Sequence, residues 1–197
     1  MKILVIGGKG TIGKRVVEYF SKKHEVVVAG RSSGDVIINI NSSESIENEF
    51  RKNSDYDAVI VAAGEAKWDS FTKMSEEDFH IGLNSKLMGQ VNVVRMAAKY
   101  LKSTASVTLT TGVLADDPVN LTSSAAMVNG AIHSFVKAVN LELDIRVNVV
   151  SPGLLEVSAE KYDGYFPGHI PVKMDDVLKF YEKSVEGRIR GEVLRIY

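Results

Sequence analysis

The sequence of 197 residues contains no cysteine and only four histidines, four prolines and one tryptophan. Without cysteine, a disulfide framework, a thiolate zinc site and a cysteine nucleophile are excluded. The histidines, at positions 24, 80, 133 and 169, lack the spacing that is typical of metal ligands, so no metal site is predicted. The absence of thiols also agrees with a reducing compartment.

Long hydrophobic runs and an excess of one charge are absent too. No segment approaches the roughly 18 consecutive apolar residues that cross a bilayer, and the first apolar run is too short for a secretory signal. The 24 basic and 25 acidic side chains leave a formal net charge of −1, which gives no general attraction to nucleic acids or anionic membranes. We therefore expect a cytoplasmic protein that binds neither nucleic acid nor membranes.

Short apolar runs alternate with helical patterns along the chain. The runs are rich in Val and Ile, as in strands that are buried on both faces, and they cover 3–6, 26–29, 36–38, 58–62, 106–109, 147–150 and 193–196. The helical patterns cover 12–22, 43–52, 75–101, 121–143 and 175–184. This alternation predicts an α/β fold, a doubly wound (Rossmann) parallel sheet of about seven strands with helices on both faces. A βα-repeat barrel needs about 250 residues, so we expect 1–197 to form a single domain.

A glycine-rich turn follows the first predicted strand. Residues 3–20 read ILVIGGKGTIGKRVVEYF, and two glycine triplets fit a dinucleotide-binding turn, Gly8-x-Gly10-x-x-Gly13 and Gly7-x-x-Gly10-x-x-Gly13. The first glycine of such a motif allows a tight turn, the second lets the backbone approach a pyrophosphate, and the third lets the helix pack on the strand. The helix then directs free N–H groups at the phosphates. The motif predicts nucleotide binding.

The end of the second predicted strand indicates which nucleotide binds. An NAD site uses an Asp or Glu here for the ribose 2′-hydroxyl, whereas this chain has Arg31 and Ser32 after Gly30, with no acid before Asp35. An arginine can pair with a 2′-phosphate through two hydrogen bonds, and Lys9 in the glycine turn adds a second charge. The sequence therefore favours NADP(H) over NAD(H).

Several motifs together resemble the short-chain dehydrogenase/reductase family over nearly the whole chain. They are GGKGTIG, Ala62-Ala63-Gly64 after the fourth strand, Asn84 on the long helix, Thr110-Thr111-Gly112 after the fifth strand, and RVNVVSPG with Pro152-Gly153. The resemblance implies that Asn84 is the active-site asparagine and that Thr111 stands where a serine steadies the substrate carbonyl. It also implies a cofactor site formed by Gly7, Gly8, Lys9, Gly10, Thr11, Ile12, Gly13, Arg31, Ser32, Ala62, Ala63, Gly64, Pro152 and Gly153.

The chain departs from the family at its tyrosine and lysine, which in the family stand at Tyr-x-x-x-Lys and supply the proton and its activating charge. Aligned on KAVNLELDIRVNVVSPG, these positions fall on Ala125 and Asn129, and TSSAAMVNGAIHSF offers no tyrosine or lysine. A methyl group cannot donate a proton, and a neutral amide supplies no charge to activate a phenol.

Three functions stay open after this departure. The first is an oxidoreductase acting on a small carbonyl or alcohol with another proton donor, for which the candidates are Tyr162, Tyr165, Lys86 and Ser124, with Tyr162 the one assigned to the site. The second is a cofactor-binding sensor or regulator without turnover. The third, a structural protein that keeps only the fold, is disfavoured by the intact glycine turn.

Smaller expectations concern the lid, the assembly and two side chains. Residues 154–174 are expected to form a small substrate lid, and the two long helices are expected to pair in a homodimer or homotetramer. Trp68 is interpreted as either a cleft residue or a packing residue, and His133 as a packing or solvated residue. The apolar surface for pairing would come from Met88, Val91, Val128, Phe135 and Val139.

Overall fold

A single parallel sheet of seven strands forms the centre of the computed structural model, which describes residues 1–197. The strands are β1 Lys2–Ile6, β2 Glu25–Gly30, β3 Val36–Ile37, β4 Ala58–Val61, β5 Ser106–Thr110, β6 Arg146–Pro152 and β7 Val193–Ile196. Their order is β3-β2-β1-β4-β5-β6-β7 and every neighbouring pair is parallel. The predicted doubly wound α/β fold is thereby confirmed.

Helices cover both faces of this sheet. They are α1 Thr11–Phe20, α2 Ser43–Lys52, α3 Glu76–Gly82, α4 Gly89–Tyr100, α5 Ser123–Val139, α6 Glu156–Ala159 and α7 Met174–Glu186. The pattern at 75–101 predicts one helix, but a π-helical segment, Leu83–Met88, separates α3 from α4. Short 3-10 turns at Val113–Ala115 and Glu160–Tyr162 have no counterpart in the predicted pattern. None of the helices combines the length and apolar character that a bilayer-spanning segment needs.

The core lies in two layers, one on each face of the sheet. The larger layer contains 22 buried residues and joins the strands to α2, α4 and α5, through side chains such as Phe50, Val93 and Ile132. The smaller layer contains 14 buried residues and joins them to α1 and α7, through Phe20 and Tyr181. Because the strands are apolar on both sides, they require helices on both faces, which is why the Val- and Ile-rich runs predict this architecture correctly.

The strand order reverses between β1 and β4, and this point positions the site. From β1 the chain moves outward through β2 and β3, and from β4 it moves outward in the other direction. The turns after β1 and β4 therefore diverge at the carboxyl edge of the sheet and leave a crevice between them. In open α/β sheets, ligands bind in this crevice.

The end of β5 is held from both faces of the sheet. Gln90 of α4 is fully buried; its Nε2 donates to the Thr110 carbonyl at 3.0 Å, and its Oε1 accepts from the Thr110 N–H at 3.1 Å. On the other face, the hydroxyls of Thr110 and Tyr181 lie 2.7 Å apart. These buried hydrogen bonds fix the backbone that carries the next residue, Thr111.

Candidate active site

The glycine turn between β1 and α1 forms a cradle without side chains. Gly7 has φ +84°, and a Cβ there would lie 2.6 Å from the Ala62 carbonyl oxygen, while a Cβ at Gly13 would overlap the Gly7 carbonyl oxygen. Only glycine therefore fits either position. Helix α1 begins after Gly10 without a side-chain cap, so the N–H groups of its first turn are available to an anionic ligand.

Two cavities meet at Ala63 and Gly64. The first, of about 390 Å³, lies over the glycine turn, and the second, of about 410 Å³, lies at the ends of β4, β5 and β6. Together they follow the carboxyl edge of the sheet across the point where the strand order reverses. This extended groove and the glycine cradle fit a dinucleotide with its two halves on either side of Ala63.

Most of the residues predicted to bind a cofactor line these cavities. The first cavity is lined by Gly7, Lys9, Gly10, Arg31, Ser32, Ala63 and Gly64, and the second by Thr11, Ile12, Ala62, Ala63, Gly64, Pro152 and Gly153. Gly8 and Gly13 line neither. A Cβ at Gly8 would lie 2.8 Å from Val28 Cγ1, and Gly13 packs against Gly7, so both glycines support the turn from beneath.

The far end of the first cavity has cationic side chains. Lys9 and Arg31 are exposed and line it together with Ser32. Asp35 does not line it, because its carboxylate accepts a hydrogen bond from the Val28 N–H at 2.8 Å. The end of β2 thus presents a guanidinium and hydroxyls to a ligand, and the acid that follows it in sequence, Asp35, is bound to backbone.

The second cavity has an aromatic wall. The Trp68 ring stacks on Tyr162 with centroids 5.4 Å apart and lies 6.3 Å from Phe166, and all three residues line the cavity. Val113 and Leu114 extend the apolar lining. Of the two interpretations of Trp68, the structure favours the cleft residue.

Lys86 and Thr111 are two of the polar residues that line this cavity. Lys86 lies in the π-helical segment, and its backbone crosses Gly64 so closely that a Cβ there would be 2.8 Å from Lys86 Cα. It makes no hydrogen bond or ion pair within the chain, and burial lowers the pKa of its ammonium to about 8. The result is a partly buried, uncompensated positive charge facing the cleft.

Asn84 does not occupy the place expected for it. It is exposed and lines neither cavity, whereas Lys86, two residues later in the same π-helical segment, lines the second cavity. Residues two positions apart on a helix lie on roughly opposite faces, so Asn84 and Lys86 cannot both face the cleft. The structure therefore places Lys86 and not Asn84 in the lining of the cleft, and the role of Asn84 as an active-site asparagine stays a prediction.

Helix α5 carries the positions where the family has its tyrosine and lysine. Ala125 is buried against Val113 and Leu114, and Asn129 is buried with an Oδ1 that has no hydrogen-bond partner. Ser124 is fully buried beside Gly82, and Tyr165 lines a different cavity. Of the four candidate proton donors, Lys86 and Tyr162 therefore remain in the cleft.

The contact between His133 and Thr111 was not predicted from the sequence, although the burial of His133 agrees with its interpretation as a packing residue. His133 is 6% exposed, and its Nε2 lies 2.8 Å from Thr111 Oγ1. Its Nδ1 lies 3.6 Å from Asp116 Oδ2, and burial lowers the pKa of the imidazolium. A signal was present, since Ala125, Asn129 and His133 follow one another at intervals of four residues and so share a helical face.

Comparison with known proteins identifies the family. A family model described as "Enoyl-(Acyl carrier protein) reductase" matches residues 12–169. The chain belongs to the short-chain dehydrogenase/reductase family. Members of this family are oxidoreductases that act on small molecules, and their fold binds a nicotinamide cofactor.

Individual relatives agree with this assignment. The chain is 25% identical over 181 residues to 3-oxoacyl-[acyl-carrier-protein] reductase FabG of Thermotoga maritima, which covers 78% of this chain and 73% of that protein. The solved structure of protein lin1944 from Listeria innocua is 40% identical, with a TM-score of 0.95 and 100% of both chains covered. A small-chain dehydrogenase in complex with NADPH is 26% identical, with a TM-score of 0.86, 100% of this chain covered and 96% of that one.

Proposed function

We propose that this short-chain dehydrogenase/reductase interconverts a small carbonyl compound and its alcohol with NADP(H) as the cofactor. The observation that carries the proposal is the placement of Thr111 and Lys86 together in the cavity that continues the glycine cradle. Residues 1–197 form one cofactor-binding domain in this proposal, and 154–174 supply a small lid that includes Tyr162 and Phe166. A cytoplasmic location stays a prediction.

The cofactor is proposed to extend across both cavities. The first turn of α1 receives the pyrophosphate, Arg31 and Lys9 bind the 2′-phosphate, and Ala62 to Gly64 with Pro152 and Gly153 flank the nicotinamide end. When bound, the nicotinamide supplies or accepts a hydride. The solved complex of the 26% identical relative with NADPH supports the preference for the phosphorylated cofactor.

Thr111 and Lys86 are proposed to act on the substrate oxygen. Thr111 Oγ1 hydrogen-bonds to it, and the Lys86 ammonium stabilises the negative charge that develops on it during hydride transfer. An ammonium in a partly desolvated cleft interacts more strongly than one in bulk water. Lys86 thereby provides the charge that Asn129 cannot supply.

The aromatic wall indicates the kind of substrate. Trp68, Tyr162 and Phe166 offer flat apolar surfaces on the side of the cavity opposite the sheet. Such a wall favours carbonyl compounds with an apolar or planar substituent. We further propose that the Tyr162 phenol, which is stacked on Trp68, holds the substrate against this wall.

Consumption of NADPH with a panel of small aldehydes, ketones and diketones tests the proposal. We expect turnover with NADPH, with Thr111→Val and Lys86→Met each lowering kcat/KM by roughly 10²-fold. Tyr162→Phe is expected to change KM more than kcat, because it alters the wall and leaves the charge in place. If Lys86→Met and Thr111→Val keep the kcat/KM of the wild type, groups other than Lys86 and Thr111 act on the substrate oxygen.

A cofactor-binding sensor is the second candidate function, and the buried Ala125 and Asn129 favour it. Such a protein binds NADPH but turns over no carbonyl compound. Fluorescence titration with NADPH, run beside the activity panel, separates the two candidates. Tight binding without turnover by the wild type would support the sensor.

A further inference from the structure

A chain of polar contacts leads from the cleft through His133 of α5 to Asp116 and Arg195. Thr111 Oγ1 lies in the cleft and 2.8 Å from His133 Nε2, and His133 Nδ1 lies 3.6 Å from Asp116 Oδ2. Asp116 is held in turn by Arg195, at 3.0 and 3.1 Å, and by the Tyr197 hydroxyl. Elements far apart in sequence thus converge on one imidazole.

The carboxylate of Asp116 sets the tautomer of His133. Arg195 lowers the pKa of Asp116, so the carboxyl group is ionised and faces Nδ1. A negative charge there favours the proton on Nδ1, which leaves Nε2 as an acceptor. The Thr111 hydroxyl then donates to Nε2, and its lone pairs face the cleft.

The charged groups around His133 oppose one another, and burial dominates. Asp116 raises the pKa of the imidazolium, Arg195 and Lys137 lower it, and the largest effect is the loss of hydration, which also lowers it. The imidazole is therefore neutral at pH 7 and free to accept a proton. Since Nδ1 already carries one, the incoming proton binds at Nε2, where Thr111 delivers it.

We propose that His133 is a positioning residue that exchanges a proton with the substrate oxygen through the Thr111 hydroxyl. In alcohol oxidation, the substrate O–H donates its proton to Thr111 Oγ1 as the Thr111 proton moves to His133 Nε2. An oxidised nicotinamide held by Ala62 to Gly64, Pro152 and Gly153 would accept hydride from the carbon that bears this oxygen, so that the C–H electron pair would leave with the hydrogen and the C=O bond would form. Carbonyl reduction is the reverse of these steps and starts with His133 protonated as an imidazolium. This inference rests on the proposed function.

The geometry explains how a site without the family's tyrosine is still supplied with a proton-transfer group. Thr111 alone is too weak an acid or base to change its protonation state at neutral pH, but with His133 it only passes a proton on. Asp116 then stabilises the imidazolium that forms. Lys86 keeps its separate role, since its charge stabilises the substrate oxygen in both directions.

The pH dependence of NADP⁺-driven alcohol oxidation tests the proposal. The wild type is expected to lose kcat/KM at acid pH through an ionisation below 6.5, the ordinary pKa of histidine. His133→Gln, which keeps a hydrogen-bonding group but does not titrate, should lose this ionisation and fall by roughly 10²-fold. Thr111→Val should fall similarly, Thr111→Ser should retain both activity and pH profile, and the double variant His133→Gln, Thr111→Val should be little slower than either alone.

Matched measurements exclude a merely structural effect. Each variant should bind NADPH and unfold thermally as the wild type does, and Tyr162→Phe should keep the acid ionisation. An ionisation that persists in His133→Gln, or that disappears in Tyr162→Phe, would overturn the role of His133 while leaving the oxidoreductase function intact. No turnover by the wild type with any substrate would overturn both.

Nitrogen-15 NMR of the histidine side chains gives a readout that needs no turnover. With the His133 signals assigned by their loss in His133→Gln, we expect the Nδ1–H tautomer at pH 7, and a shift of Nε2 in Thr111→Val as its donor is removed. The Nε2–H tautomer, or a protonated ring at pH 7, would contradict the relay whatever the activity.

Discussion

At the scale of single residues, the site is built around a charge with no partner. Lys86 has no carboxylate near it, and its ammonium has lost hydration against the Ala62 to Gly64 turn. Removing a charge from water without a compensating partner destabilises the folded protein. A group that costs stability and faces a cleft is typical of a functional site.

Replacing Lys86 should therefore stabilise the protein and remove its activity. The folded pKa of about 8 lies below the ordinary 10.5, so the folded state binds fewer protons than the unfolded chain between these values. The free energy of unfolding of the wild type should thus rise as pH increases from about 8 to 10.5. Solvent near the ammonium reduces the cost of its burial. Lys86→Met should therefore raise the free energy of unfolding by about 2 kcal/mol at neutral pH.

Urea unfolding at several pH values measures this effect. Lys73→Met is the matched control, because Lys73 is exposed and its side chain makes no hydrogen bond or ion pair within the chain. The control should change neither stability nor activity. If Lys86→Met instead destabilises the protein, the ammonium is better hydrated or paired than its position indicates.

Arg31 should determine the choice between the two cofactors. Arg31 lines the first cavity, whereas the next acid in the sequence, Asp35, is bound to backbone. Arg31→Ala should weaken NADPH binding about tenfold, as expected for loss of one exposed charge-assisted pair, and leave NADH binding unchanged. Fluorescence titration of both cofactors, with the exposed Arg188→Ala as control, would refute the assignment if the wild type binds the two equally.

At the scale of secondary-structure elements, the turn from β1 to α1 separates two kinds of glycine. Gly13 packs on the Gly7 carbonyl and has no room for a methyl group, whereas a Cβ at Gly10 would meet only the Gly7 carbonyl oxygen at 3.4 Å. Gly13 therefore serves the packing of helix on strand. The space beside Gly10 is open and faces the cavity.

These two glycines should respond differently to alanine. Gly13→Ala forces the backbone apart and should lower the free energy of unfolding by about 1–3 kcal/mol. Gly10→Ala should change stability by less than about 1 kcal/mol but weaken NADPH binding, because its methyl group occupies the space meant for the pyrophosphate. Calorimetry of unfolding and of binding checks both, and equal effects of the two variants on stability would contradict this division.

The secondary-structure elements also show which features of the fold could be predicted from the sequence. Strands that are apolar on both faces must lie in a sheet covered by helices on both sides. The positions of the strands and the kind of sheet could therefore be predicted from the Val and Ile runs alone. The π-helical segment Leu83–Met88 has no such signature, and in it Lys86 and not Asn84 lines the cleft. The contacts of His133 were not predicted for a related reason, because its partners Thr111 and Asp116 come from elements that only the fold brings together.

At the scale of the whole molecule, some apolar side chains of the long helices are exposed to solvent. Met88 and Met127 are 42% and 43% exposed, whereas Val128, which the sequence placed in an interface, is fully buried in the chain's own core. An exposed pair of flexible apolar side chains on neighbouring helices is compatible with an isologous homodimer.

Light scattering at micromolar concentration should give twice the mass of one 21.6 kDa chain. Met88→Glu together with Met127→Glu should shift the protein to monomers, since each charge would be buried opposite its symmetry mate. Leu141→Glu, at a site 89% exposed after α5, should leave the dimer intact. A wild-type mass near 21.6 kDa would refute a stable dimer.

We propose that hydride passes between NADP(H) and a carbonyl compound in the cavity shared by Thr111 and Lys86. Single-turnover reaction with NADPH carrying deuterium at the transferable position, followed by mass spectrometry of the product, tests it most directly. The account predicts an alcohol with one deuterium, formed by the wild type and strongly reduced with Lys86→Met and Thr111→Val. An alcohol without deuterium, or no alcohol from an enzyme that binds NADPH tightly, would contradict it.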